Sequence, residues 1–139
     1  MTTNIDHYIA AARPVVARYG KYPSRGSREH AAFKLDIADA LHGAGFPECP
    51  AGLVGVYFRE QKMCNEGKTP DDDNGYEAAF AVGMAAMDQA LARPAENTAD
   101  ILAKLVVLAY ELREMSMGGA VYDGVITSIR GVRRLSVCR

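Results

Sequence analysis

The densest group of chemically active side chains in the sequence is DDDNGYE, from Asp71 to Glu77, with four carboxylates in seven residues. Clustered acids suggest a hard cation such as calcium. An EF-hand loop needs glycine at its sixth position and a bidentate acid at its twelfth. Setting Gly75 at the sixth puts Pro70 first and Ala81 twelfth, and neither can ligate. The same acids suit the start of a helix, where Asp73 or Asn74 can cap free amides and the others sit near the positive end of the dipole. No metal is expected here. As surface carboxylates, Asp71, Asp72, Asp73 and Glu77 can instead mimic phosphates in a groove of another protein, and they are the expected partner-binding residues.

Other reactive side chains are scattered. His7, His30 and His42 share no ligand spacing, and His42 falls near an expected helix C-terminus, where a cation is mildly favoured. Cys49, Cys64 and Cys138 form no CxxC or Cys/His pair, which argues against a zinc site and a disulfide framework. Polar or basic neighbours of Cys64 and Cys138 could depress a thiol, but no nucleophile motif surrounds them. GxSxG, HExxH and phosphate-binding glycine loops are missing. The sequence therefore points to no catalytic residue and no cofactor, and a non-enzymatic role is expected.

The elements that would position these residues are helical. A chain of 139 residues, 49% apolar and 24% charged, suits one globular domain spanning 1–139. An N-terminal run from Asn4 to Tyr19 repeats Ile5, Ile9, Ala12, Val16 and Tyr19 at helical spacing, with Pro14 expected to kink it. Ser27 can cap a second helix reaching His42, with Phe33, Ile37 and Leu41 on one face. Residues 51–66 contain LVGVYF, which alone could be a buried strand, but the longer string reads as a helix with Leu53, Val56, Tyr57 and Met63 inward. A fourth helix from about Gly75 to Ala92 repeats Tyr76, Phe80, Met84, Met87 and Leu91. Thr98 is the expected cap of a fifth, with Ile101, Leu105, Leu108, Leu112 and Met115 as its stripe and Gly118 and Gly119 as its stop. Val121, Val125, Ile129 and Val132 mark a sixth. The expected fold is an all-α bundle of five or six helices, with the last three forming a compact antiparallel unit. Met84, Met87 and Met115 are expected in the core, although a methionine-rich surface that includes Met117 would be an adaptable binding face.

Net charge is −1, so no global field draws the chain to nucleic acid or an anionic membrane. Basic residues nevertheless gather from Arg13 to Lys34, and again in Arg130, Arg133, Arg134 and Arg139. No signal peptide or membrane-spanning stretch is visible, and a cytoplasmic location is expected.

Two resemblances add to this reading. The string IADALHGAGF followed by PECPAGLVGVYFREQ is similar to the helix-turn-helix segments of site-specific recombinases and some regulators, within residues 37–66. That resemblance implies DNA binding, with Arg59, Glu60 and Lys62 on a base-reading face and Arg25 and Arg28 on phosphates. The sequence departs from the pattern where apolar Leu53, Val54 and Val56 begin the second helix. Further on, Thr98, Asp100, Ile101, Leu102, Lys104, Leu105 and Glu111 lie in a stretch that resembles small helical proteins of prophages and other mobile elements. It implies an accessory protein that binds and blocks a host or competitor machine, such as a defence system. The expected function is thus a small protein-binding protein. DNA binding through Arg25, Arg28, Arg59 and Lys62 is the alternative.

Overall fold

The computed structural model describes residues 5–114 and 120–137. Met115, Met117, Gly118, Gly119, Cys138, Arg139 and the Val121 side chain lie outside the described residues. Six helices follow in order: α1 Ile5–Tyr19, α2 Arg28–Gly43, α3 Pro50–Asn65, α4 Asp73–Ala92, α5 Thr98–Glu114 and α6 Ala120–Val137. No strand occurs among the described residues, and the fold is an all-α bundle. Residues 51–66, the segment with a strand alternative, lie almost wholly in α3.

Local chemistry sets the boundaries. Ser27 caps α2 by accepting from His30 N–H at 2.9 Å. Gly45, at φ 83°, takes the left-handed conformation that turns the chain after α2, and its carbonyl accepts from the Tyr8 hydroxyl at 3.3 Å. Pro50 opens α3, where its missing N–H costs no helical bond. Pro14 lies inside α1 without dividing it into two helices. Asn97, rather than Thr98, caps α5: its side chain accepts from Asp100 N–H at 2.9 Å. The cap falls one residue early because Asp100 is needed at the third helical position, where its carboxylate accepts from Glu96 N–H at 3.0 Å.

At the centre of the bundle, α4 packs against α1, α2, α3 and α5. This corrects the sequence expectation at two points. The large residues of α4 are not its inner row: Tyr76 and Phe80 are 54% and 44% exposed, while Ala78, Ala79, Ala81, Val82, Gly83, Ala86 and Ala90 are buried. A helix surrounded on several sides admits only small side chains where neighbouring backbones come close, so bulk moves to the gaps between neighbours. Met87 and Leu91 do pack against the core cluster. The other correction concerns the last three helices. Among the described residues α6 touches only α5, and α4 makes its main contacts with α1 and α3. In α5 the core side is Asp100, Ala103, Val107 and Tyr110, whereas Ile101 and Leu108 stay 43% and 38% exposed. The Ile101–Leu112 row points roughly a third of a turn away from Val107, so it serves the outer layer and not the core.

Candidate functional site

α2 carries a second apolar row in addition to its buried Phe33, Ile37 and Leu41. Ala31, Leu35 and Ala38, at helical spacing, face a trough shared with Ala81, Met84 and Ala85 of α4. The cavity along it has a volume of about 560 Å³. Leu35, at 69% exposure, stands on its wall. An apolar side chain that open, beside an apolar floor, forms a surface that water covers poorly.

One end of the trough is aromatic. The Tyr22 ring meets Phe33 at 4.9 Å and Phe80 at 5.1 Å, edge to face, and lies 5.7 Å from His30. Burial raises the Tyr22 phenol above its ordinary value, with Asp88 adding to the effect. Across the mouth, Lys34 Nζ pairs with Asp88 Oδ2 at 3.1 Å. Pro23 and Arg25 extend this end past Phe80. At the other end, Ala38 and Gln89 lead into a smaller depression of about 340 Å³ bordered by His42 and Arg93. Arg93 is held there by donating to the Glu48 carbonyl at 3.0 Å. The depressions share lining residues and so run continuously along α2, whose 16 residues span about 24 Å. Such a trough has the length and the apolar floor to take one helix, with rim charges of both signs.

The acidic segment is arranged differently from the expectation. Asp72, not Asp73 or Asn74, caps α4, accepting from Gly75 N–H at 3.1 Å. Its two oxygens also accept from Arg13 at 2.7 and 3.2 Å. The Arg13 guanidinium and the Gly75 amide hold the Asp72 carboxyl below its usual range. The cap settles on Asp72 because Arg13 of α1 waits there, a contact across 59 positions that no local pattern reveals. Asp71 and Asp73 are exposed and Glu77 is half-buried. Among the described residues, no group of three or more His, Cys, Asp or Glu side chains is placed to hold a metal ion. Gly75 completes this corner: a Cβ there would lie 2.5 Å from Arg13 Nη2 and 2.6 Å from both Asp72 Oδ1 and Pro70 Cβ. Gly75→Ala is therefore expected to destabilise the fold by roughly 1–3 kcal/mol, although alanine favours helices, because overpacking outweighs propensity. Chemical denaturation with the m-value monitored checks it.

The basic residues of the DNA-binding expectation are distributed over separate elements. Arg25 lies in the loop before α2 and Arg28 is the first residue of α2; Arg59 and Lys62 are exposed on α3. Lys62 is 3.9 Å from Glu66. Glu60, placed by the resemblance on the base-reading face, is instead only 5% exposed and turned inward. Helices α2 and α3 make no contact with each other among the described residues, each packing on α1 and α4. A helix-turn-helix unit packs its two helices together.

A second concentration of polar groups fills the seam of α3 with α5. Tyr57 donates to Glu111 Oε1, and the Tyr110 hydroxyl donates to Gln61 Oε1 at 3.2 Å. Gln61 Nε2 donates to Glu60 Oε2 at 2.9 Å. Burial, then the Glu111 carboxylate, pushes the Tyr57 phenol up. These groups are spent on one another and knit two helices together.

Sequence reasoning missed the trough itself. The signal was Leu35, a large apolar residue opposite the Phe33–Ile37–Leu41 face with alanines one turn either side. Comparison of the chain with protein-family models, curated proteins and solved structures yields no match.

Proposed function

We propose that the chain is a binding protein without catalytic activity, which takes an amphipathic helix of a partner protein along the trough between α2 and α4. Exposed Leu35 on a continuous apolar wall is the observation that carries this reading. An apolar stripe on the incoming helix would lie on Met84, Ala81 and Ala38, and its polar flanks would meet the Lys34–Asp88 pair and Arg25. The resemblance of the stretch around Thr98 to Glu111 to accessory proteins of mobile elements points toward a partner in host or competitor machinery, a defence system among them. Asp71, Asp73 and Glu77 form a second contact in this reading, with Asp72 reserved for its cap. Exposed free thiols at Cys49 and Cys64 fit a reducing compartment such as the cytoplasm.

The test is capture of the partner by the wild type and by Leu35→Glu, after nuclease treatment. Leu35 supports no core contact, so the variant is expected to keep its thermal midpoint while its affinity falls about tenfold or more. Equal affinity in the two proteins would remove the trough from the function. Binding lost after nuclease, steeply weakened by salt and abolished by Arg59→Ala with Lys62→Ala, would establish the nucleic-acid reading in its place.

A further inference from the structure

We propose that the partner helix carries a carboxylate side chain at the Tyr22 end of the trough, one turn beyond its apolar stripe, an inference that rests on the trough being the docking site. What points to it is an excess of hydrogen-bond donors on an aromatic wall. Tyr22, Arg25 and His30 line one depression together with Phe80 and Met84. Among the described residues, the Tyr22 hydroxyl, the Arg25 guanidinium and the His30 imidazole have no acceptor. Packing fixes the rings: Tyr22 meets Phe33 at 4.9 Å, Phe80 at 5.1 Å and His30 at 5.7 Å. Arg25 lies near enough to the Tyr22 phenol to oppose its upward shift. The acid lining this depression is Asp88, which Lys34 pairs at 3.1 Å. Glu77 also acts on Tyr22, but it lines neither this depression nor the rest of the trough.

Desolvation turns this excess into a selection rule. Water satisfies the donors while the trough is open. A helix laid over them removes that water, and a donor then left without an acceptor costs about 1–3 kcal/mol, more when it is charged. An apolar side chain at this end therefore strands Arg25, and a basic one adds repulsion. An amide offers one neutral acceptor. A carboxylate accepts two parallel bonds from the Arg25 fork and keeps lone pairs for Tyr22 or His30. The opposite end has no such excess: Asp39 and Glu48 stand there beside His42 and Arg93, and Arg93 already donates to the Glu48 carbonyl at 3.0 Å. Complementarity thus assigns the partner's acid to the Tyr22 end.

The test is fluorescence anisotropy of the full chain with synthetic helical peptides of about 16 residues, long enough to span the trough. Each carries a leucine stripe and, one turn beyond it, Glu, Gln or Lys. Wild type is expected to bind the Glu peptide at least about tenfold more tightly than the Lys peptide, with Gln between. Arg25→Ala, at an exposed loop position, and Tyr22→Phe, which keeps the ring and removes only the hydroxyl, are each expected to shrink that preference. Arg25→Glu is expected to reverse it. Leu35→Glu is expected to weaken all three peptides alike and to leave their order unchanged. Equal binding of the three peptides, all weakened by Leu35→Glu, would overturn the carboxylate proposal and leave the trough standing as the docking site. A preference for Glu that survives both Arg25→Ala and Tyr22→Phe also overturns it, because the acid would then bind elsewhere. Failure of wild type to bind any of the peptides overturns the proposal together with the trough reading.

Discussion

Asp100→Ala is expected to lower the unfolding free energy by roughly 2–4 kcal/mol, and the thermal midpoint by about 8–12 °C. Asp100 is 1% exposed. One oxygen accepts from Ala51 N–H of α3 at 3.2 Å, and the other from Glu96 N–H at 3.0 Å. A single carboxylate thereby serves the first turn of α3 and the residue just before the α5 cap, where free amides and the positive dipole ends both favour an anion. Alanine leaves the Ala51 amide without an acceptor in a half-buried position and removes the link between the start of α3 and the start of α5. Hydrogen bonds to a charged acceptor are the stronger kind, contributing about 1.5–3 kcal/mol each, while water can recover part of the loss at exposed Glu96. Asn keeps the shape and one good acceptor, so Asp100→Asn is expected to fall between. Urea unfolding measures the stabilities, and hydrogen exchange supplies the specific readout: the amides of Ala51 and Glu96 should lose protection well before the middle of α3. Asp71→Ala, at an exposed acid, serves as control and is expected to change little.

The contrast between Asp100 and Asp72 shows where sequence reading stops. Local rules placed both acids at helix starts, because short-range capping and dipole effects act within one turn. Their partners, Ala51 and Arg13, lie 49 and 59 positions away, and only the packed bundle brings them together. Helix existence was legible for the same local reason: Ser27, the glycine after α2 and the proline at the start of α3 act on their immediate neighbours. What each helix buries was legible where it has one inner face, as in α2 with Phe33, Ile37 and Leu41. It was not legible in α4, where several neighbours press against the backbone and the small residues become the core. In α5 the long row from Ile101 to Leu112 has the stronger periodicity, yet the bundle takes Val107 and Ala103 on the other side. The trough depends on the spacing between α2 and α4, a tertiary quantity. Leu35 stands out little in sequence, because one exposed leucine is common, and Ala38 reads there only as a neighbour of the Phe33–Ile37–Leu41 stripe.

Glu60→Gln is expected to stabilise the protein by roughly 2–3 kcal/mol at about pH 8 while changing little near pH 4. Burial pushes the Glu60 carboxyl up to about 7 from an ordinary 4.5, and the Gln61 amide offsets only part of that. The space it occupies is made by α4: a Cβ at Gly83 would lie 2.8 Å from Glu60 Oε2. Its nearest polar neighbours supply no cation. Gln61 donates one hydrogen bond. Between about 4.5 and 7 the folded protein therefore retains a proton that the unfolded chain has released. Stability must fall as pH rises through that window, and the loss is complete above the folded value. Glutamine has the same shape and no charge to desolvate, so its stability should be flat where that of the wild type declines. The two unfolding curves should nearly coincide near pH 4 and separate progressively toward about pH 8. Parallel curves across the whole range would mean that water reaches the carboxylate in solution and that α3 carries its charge on an open seam. A wild-type decline that persists in Glu60→Gln would move the titration to another group.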